Sequence, residues 1–322
     1  MPAAPSDPRV VAVVVAFNRR ELLAEALDAL AAQTTPPSAV VVVDNASTDG
    51  SAELARTHPV GADVVALARN TGGAGGFAAG IARALARHRP EWLWLMDDDT
   101  VPTSSALAEL VRGARSVPDV VVAGSRVVWT NGDDHPMNTP RRNPFAPRRE
   151  RAAARAAGVM PVRSSSFVSM LARADVVARR GLPVADFFIW NDDFEYSTRL
   201  IRRHRAVFVP ASVVVHKTRV LGSTDADPGE RFYYEVRNKV WMWRFSRGLA
   251  PFEKLVYGAS TARRWWRTIR RSPHPQLLRD CLRRGWRDGW RGRPRPTATV
   301  LGGIPDLEAD LRALEGSGEA RG

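Results

Sequence analysis

The first hundred residues switch repeatedly between two hydrophobic periods, and that alternation limits the fold more than any other feature of the chain. "VVAVVVAF" (10–17) is a short β-branched run suited to a strand buried on both faces. "RRELLAEALDALAAQ" (19–33) follows with leucines at 22, 23, 27 and 30, a helical spacing. "AVVVVDN" (39–45) reads as a second buried strand, "STDGSAELARTH" as a second helix opened by a Ser/Thr/Asp cluster, and "DVVALARN" (63–70) as a third strand. A glycine-rich turn, "TGGAGG", leads to a helix through "FAAGIARALARHR", and a fourth strand covers 92–96. Strand and helix at this pace predict an α/β fold with a Rossmann-like, mostly parallel central sheet flanked by crossover helices.

Beyond Pro102 the pattern loosens. "DVVVAGSRVVW" (119–129) predicts another strand, and "TNGDDHPMNTPRRNPFAPRRERAAARAAG" a mobile, proline-broken polar loop. "SSSFVSMLARADVVARRG" (164–181) predicts a strand and then a helix closed by Gly181. "FFIWNDDFEYSTRLIRRH" (187–204) predicts a short loop entering a helix, and "AVFVPASVVVHKT" (206–218) one or two strands. Residues 1–227 thus form the expected catalytic domain. Residues 228–322 form a basic, Trp-rich helical region ending in a flexible proline-glycine tail.

Charge is concentrated in that second part. Arg231 to Arg295 holds 18 Lys/Arg against four acids, a surplus of 14 that exceeds the +13 net charge of the whole 322-residue chain. The single cysteine, Cys281, excludes an intramolecular disulfide, and "MPAAPSDPRV" has neither the basic start nor the cleavage site of a signal peptide. A cytoplasmic protein is expected.

Against this basic background, "EWLWLMDDDT" (91–100) ends a buried run in Asp97, Asp98 and Asp99. The C-terminal ends of parallel strands open on one edge, where ligands bind. Asp44 and Asn45, then Arg69 and Asn70 with Gly72, Gly73, Gly75 and Gly76, end other strands on that edge. Three carboxylates so close repel unless a cation offsets them, and such oxygen ligands suit Mg²⁺ or Mn²⁺ shared with substrate phosphates. The alternative is that Asp98 and Thr100 cap the following turn.

The glycine stretch matches neither the P-loop nor the dinucleotide pattern. It is either a tight turn or a place where backbone approaches a phosphate or sugar. In "FIWNDDFEYSTRL" a helix starting near Asp192 puts Asp192 and Glu195 on one face. One carboxylate there is free to act as a base while another is held by an arginine such as Arg199, or the acids cap the helix. His216 is either a metal ligand or pyrophosphate contact, or a structural histidine.

Taken together, "VVVAFNR", "VVVDNASTDGS", "NTGGAGGFAAG", "WLMDDDT" and "WNDDFEYSTRL" followed by "HKT" resemble, in order, the inverting glycosyltransferases of family 2, which have the GT-A fold. "RNTGGAGGFAAG" and "RFYYEVRNK" resemble the galactofuranosyltransferases, with the related rhamnosyltransferases next, that extend polyprenyl-diphosphate-linked glycans. The resemblance implies a nucleotide-sugar donor, UDP-galactofuranose or alternatively dTDP-rhamnose, a lipid-linked glycan acceptor, and a divalent Mn²⁺ or Mg²⁺ cofactor. It implies that Asp44, with the backbone of Ala16 and Phe17, meets the nucleobase. Asn70 and Gly72 to Gly76 would lie along the nucleotide sugar, and Asp97, Asp98 and Trp190 would contact substrate. Asp99, Asp97 and His216 would bind the metal, and Asp193 would be the base, with Asp192 its rival and Glu195 its companion.

Leu277, Leu278, Cys281, Leu282, Trp286 and Trp290 recur at roughly helical spacing among arginines, as do Trp265 and Trp266. A face of that kind suits an anionic membrane surface, and so a peripheral place on the inner side of the cell membrane. The alternative is a helical subdomain with tryptophan core. The basic charge also raises a nucleic-acid-binding reading, but no binding motif is present and acidic strand ends repel phosphates, so no nucleic-acid partner is expected.

Overall fold

The computed structural model describes residues 8–219, 221 and 227–319. Within them β1 (Val10–Ala16), β2 (Ala39–Asp44), β3 (Asp63–Ala66) and β4 (Trp92–Asp97) lie parallel in the order β3-β2-β1-β4. The remaining strands are β5 (Thr100–Pro102), β6 (Val120–Val128), β7 (Arg141–Arg142), β8 (Met160–Ser164), β9 (Met170–Arg173) and β10 (Arg205–His216). β9 joins β4 and β6 by antiparallel pairing, β10 runs parallel to β6, and β8 and β7 complete the edge.

β1 is buried along its whole length, as an unalternating Val/Ala run requires. Val11, Val13 and Val15 join one core, and Val10, Ala12, Val14 and Ala16 the other, so the strand feeds both faces of the sheet. α1 (Arg20–Ala31), α2 (Ser51–Thr57) and α4 (Ala106–Arg115) cover the second face, with Leu23, Leu27, Leu30, Leu107 and Leu110 buried. α3 (Gly72–Arg83), α6 (Ala174–Arg180) and α7 (Asp192–Leu200) cover the first, with Phe77, Ile81, Val177 and Tyr196 buried. Each fully buried valine or leucine is worth about 1.5–3 kcal/mol relative to exposure, which is what drives the three layers together.

Three sequence expectations change here. The glycines of "TGGAGG" do not form a turn: α3 begins at Gly72 and includes them. The stretch expected to be a mobile loop contains β7, α5 (Arg148–Ala156) and a single 3₁₀ turn at Pro136–Asn138, and His135, Ala146 and Ala154 are buried in it. The flexible tail is replaced by α11 (Thr297–Leu301) and α12 (Pro305–Glu319), which return to the first face. Val300, Leu301, Leu307 and Leu311 enter the core there, and Asp310 accepts hydrogen bonds from Arg83 (3.2 Å) and Arg87 (2.8 Å).

Between lie α8 (Phe232–Phe245), α9 (Pro251–Arg271) and α10 (Pro275–Arg291). A buried ion pair anchors them to the sheet: Arg163 of β8 donates to Glu253 Oε1 at 2.6 Å and to the Gly248 carbonyl at 2.7 Å. Leu278 and Cys281 pack with Phe232, Val236 and Trp265, whereas Trp266, Trp286 and Trp290 are exposed. The aromatic face therefore divides between core and solvent. No helix among the described residues is long and apolar enough to cross a membrane.

Candidate active site

The ends of β1, β2 and β4 are adjacent by register, Ala16 beside Asp44 and Val15 beside Asp97. Asp44 is buried at 3% exposure; its Oδ2 accepts from Ser47 N–H at 3.2 Å, while its Oδ1 has no partner. An orphaned buried acceptor at a strand end suits an N–H donor brought by a ligand. Asn70 instead closes a local turn, accepting from Gly72 N–H at 2.8 Å.

The three consecutive aspartates point to different jobs. Asp97 lines a cavity of about 380 Å³. Asp98 turns away, accepting from Phe17 N–H at 2.9 Å and from Arg19 at 3.4 Å, so it ties β4 to the end of β1. Asp99 lies 3.2 Å from His216 Nε2 and is ion-paired to Arg19. β4 ends at Asp97, and Asp98 and Asp99 form the turn before β5, so the three carboxylates leave the chain in different directions.

Burial, with Asp99 nearby, pushes the Asp97 pKa up to about 6, and burial pushes Asp98 up to about 7. Burial also opposes the charge on Asp99, but the His216 imidazole and the Arg19 guanidinium outweigh it and hold that carboxyl below its ordinary value.

Asp97, Asp99 and His216 each offer a ligand atom, all within 4.8 Å of one another. Two carboxylates and an imidazole grouped in this way would suit a divalent ion such as Mn²⁺ or Mg²⁺. Asp99 Oδ1 is the atom that faces His216 Nε2. His216 is oriented from behind, its Nδ1 3.1 Å from Asn138 Oδ1, so that Nε2 faces Asp99.

Asp192 and Asp193 line the same cavity from the start of α7, along with Trp190. The turn before them is strained, with positive φ at Phe188 (65°), Trp190 (74°) and Asn191 (65°). α8 holds it in place. Asn238 Nδ2 donates to the carbonyls of Phe187 (2.8 Å), Ile189 (2.9 Å) and Trp190 (2.9 Å), and Asn191 Nδ2 donates to Glu235 Oε2 at 2.7 Å.

The two acids are not equivalent. Burial and the adjacent Asp193 push Asp192 well above the ordinary carboxylate value. Burial raises Asp193 too, but the Phe194 N–H (2.6 Å), Arg141, Ser166 and Lys239 oppose it. Glu195 does not line the cavity: Arg199 donates to it at 2.9 and 3.2 Å and Ser246 at 2.7 Å, which makes it a buried anchor for α7.

The glycines divide similarly. Gly75 and Gly76 are buried: a Cβ at Gly75 would fall 2.3 Å from Thr71 Oγ1 and one at Gly76 2.5 Å from Val15 Cγ1, so Gly76 lets α3 lie close against β1, Gly75 leaves room for the Thr71 side chain, and neither offers surface to a nucleotide. Gly72, at φ +69°, passes against the Phe188 carbonyl. Only Gly73 of the four is partly exposed, next to Asp192.

A family model described as "Glycosyl transferase family 2" matches residues 11–175. This chain belongs to that family. The galactofuranosyltransferase GlfT1 of Mycobacterium tuberculosis is 34% identical to this glycosyltransferase over 268 residues, 77% of this chain and 87% of the relative. GlfT1 of Mycolicibacterium smegmatis is 34% identical over 199 residues, 60% of this chain and 65% of the relative.

Among solved structures, a mannosyltransferase from Pyrobaculum calidifontis, in complex with GDP-Man and Mn²⁺, superposes with a TM-score of 0.55 at 20% identity, covering 98% of this chain and 88% of that one. S. aureus TarS 1–349 gives 0.59 at 16%, covering 96% and 90%. These likenesses establish the GT-A fold of the family 2 enzyme.

Asn138, Glu235, Asn238 and Lys239 did not emerge as site residues from the sequence. The "RFYYEVRNK" resemblance marked the segment of the last three without assigning them roles.

Proposed function

We propose that this glycosyltransferase inverts the configuration of the sugar it moves, a galactofuranosyl group carried from UDP-galactofuranose to a hydroxyl of a polyprenyl-diphosphate-linked glycan. The observation that carries the reading is the grouping of Asp97, Asp99 and His216 beside the same cavity that Asp192 and Asp193 enter from α7. The relatives named galactofuranosyltransferase support the choice of sugar.

Asp97, Asp99 and His216 would hold Mn²⁺ or Mg²⁺, and when bound it supplies Lewis-acid stabilisation of the departing diphosphate. Arg19, already paired with Asp99, adds positive charge at the same place. Asp44 Oδ1 and the strand end at Ala16 and Phe17 form the nucleobase side, with Gly73 and Trp190 toward the sugar. Asp193 takes the proton from the acceptor hydroxyl as it attacks the face opposite the leaving group. Asp192 suits that role less, because burial and the adjacent Asp193 raise its pKa well above the ordinary carboxylate value, whereas Arg141, Ser166, Lys239 and the Phe194 N–H favour the charged form of Asp193.

Residues 1–227 then serve as the donor-binding and catalytic part, with α11 and α12 packed on it, and α8 to α10 of the 228–322 region as the part that faces the acceptor and an anionic membrane. Phe252, Leu255, Val256 and Trp266 are 47–71% exposed on α9, with Arg263 and Arg270 beside them. An apolar stripe bordered by arginine fits the headgroup region, where a lipid-linked acceptor resides.

Thermal unfolding with UDP, with and without Mn²⁺ or Mg²⁺, followed by a panel including UDP-galactofuranose and dTDP-rhamnose, tests the reading. Metal-dependent protection by UDP that disappears in Asp99→Ala is expected. No protection by UDP with either metal refutes it, and turnover of dTDP-rhamnose alone would replace the donor.

A further inference from the structure

The cavity that Asp193 enters is also lined by four cations from separate elements: Arg141 of β7, Arg231 just before α8, Lys239 of α8 and Arg264 of α9. Lys239 is the unusual one. It is 6% exposed, its Nζ lies 4.9 Å from the Phe194 ring centroid, and among the described residues it meets no hydrogen-bond acceptor. Its nearest acid, Glu235, is already engaged by Arg264, by Trp265 Nε1 at 3.1 Å and by Asn191 Nδ2 at 2.7 Å.

Arg141 stacks on the other contact of Lys239, with its guanidinium 5.2 Å from the Phe194 ring centroid. Arg141 and Arg231 are exposed and, among the described residues, form no carboxylate ion pair. An ammonium that lines the cavity with no hydrogen-bond acceptor of its own is a group a ligand anion can complete.

We propose that Arg141, Arg231 and Lys239 form a subsite for a phosphate or diphosphate group carried by the acceptor, separate from the place of the donor's diphosphate. This rests on the transferase reading above. The donor side is built from the ends of β1, β2 and β4, whereas these cations come from β7 and the later helices and flank Asp193, where the acceptor hydroxyl must arrive. Guanidinium forks at the mouth suit bidentate phosphate contacts, and the ammonium at depth supplies a point charge. Such an anchor holds the acceptor in register with the base. Burial pushes the Lys239 pKa down to about 8 despite the opposing pull of Glu235 and Asp193, so a further anion in the cavity would favour its charged form.

The test uses the full chain in EDTA with inorganic pyrophosphate as probe, read by isothermal titration calorimetry, alongside UDP with Mn²⁺. Pyrophosphate is expected to bind the wild-type protein, to weaken by about tenfold or more in Lys239→Met and in Arg231→Ala, and to be displaced by farnesyl diphosphate but not by farnesol. UDP with Mn²⁺ should bind both variants within about twofold of wild type, as for independent sites. Arg231 is exposed, so Arg231→Ala keeps the test open if Lys239→Met fails to fold.

The proposal is overturned if pyrophosphate does not bind, if both variants bind it like wild type, or if farnesyl diphosphate fails to displace it. Failure of UDP with Mn²⁺ to bind wild type would instead remove the proposed UDP-sugar donor, leaving the pyrophosphate comparison to decide the subsite.

Discussion

Gly72→Ala tests how the candidate base is positioned. A Cβ at Gly72 would fall 1.9 Å from the Phe188 carbonyl oxygen and 2.5 Å from its carbon, at a backbone φ of +69°. The left-handed conformation costs a non-glycine residue roughly 1–2 kcal/mol. Restoring an ordinary contact of about 3.5 Å requires the carbonyl to retreat by about 1.5 Å.

That carbonyl belongs to the strained turn that leads directly into Asp192 and Asp193, so the movement reaches the cavity. A misplacement of about 1 Å costs on the order of a hundredfold in rate. Gly72→Ala should therefore lose about 2–4 kcal/mol of stability and about a hundredfold in turnover, while UDP with Mn²⁺ still binds.

Gly73→Ala is the matched control. Its Cβ would meet nothing closer than Asp192 Oδ2 at 3.8 Å, and alanine suits a helix, so stability should stay near wild type. Denaturant unfolding and a nucleotide-release assay read both variants. Wild-type turnover in Gly72→Ala, or equal damage in the two, would refute the reasoning.

Three further outcomes are expected. Activity that needs ionised Asp193 is lost as pH falls through its raised pKa, so the acid limb of kcat/KM should lie above the ordinary carboxylate range. Arg141→Gln should move that limb to higher pH, because Arg141 favours the charged form, and an unmoved limb would count against Asp193 as base. Asn238→Ala removes the amide that holds three turn carbonyls, and should lower unfolding free energy by about 1–3 kcal/mol and depress kcat, checked by urea titration and steady-state kinetics. Replacing both Phe252 and Leu255 by serine should weaken binding to phosphatidylglycerol vesicles, read by co-sedimentation, by about a hundredfold or more, from the roughly 1.5–3 kcal/mol that each apolar side chain contributes when buried, without changing the midpoint of unfolding; unchanged sedimentation would remove α9 as the membrane face.

The parallel half of the sheet was legible because β1, β2 and β4 are short β-branched or apolar runs that only burial on both faces can satisfy. The acids at their ends were legible for the same reason, since each is the first polar group after such a run. Sequence patterning could not separate Asp98 from its neighbours, because the difference is a hydrogen bond to Phe17, 81 residues away. Glu195 looked like a partner of the base from helix spacing alone. The same spacing pairs it with Arg199, and only the packing of Ser246 and α7 shows that this pairing takes it out of the cavity.

The glycine run misled in a different way. Glycine weakens a helix, so "TGGAGG" read as a turn, yet contact with Val15 and Thr71 makes small residues necessary inside α3. The tail misled because its apolar residues are few, and their value appears only against the surface of α3.

Local periodicity and the abrupt change from apolar to acidic residues, both contained in windows of ten residues or so, were enough to determine the α/β class, the open edge of the sheet and the two acidic centres. The tertiary structure alone decided which carboxylates face the cavity, what holds the turn before α7, and that cations from residues 141 to 264 share one wall. Those outcomes depend on contacts between distant segments, and a side chain's orientation and solvation are set by the neighbours that folding brings to it.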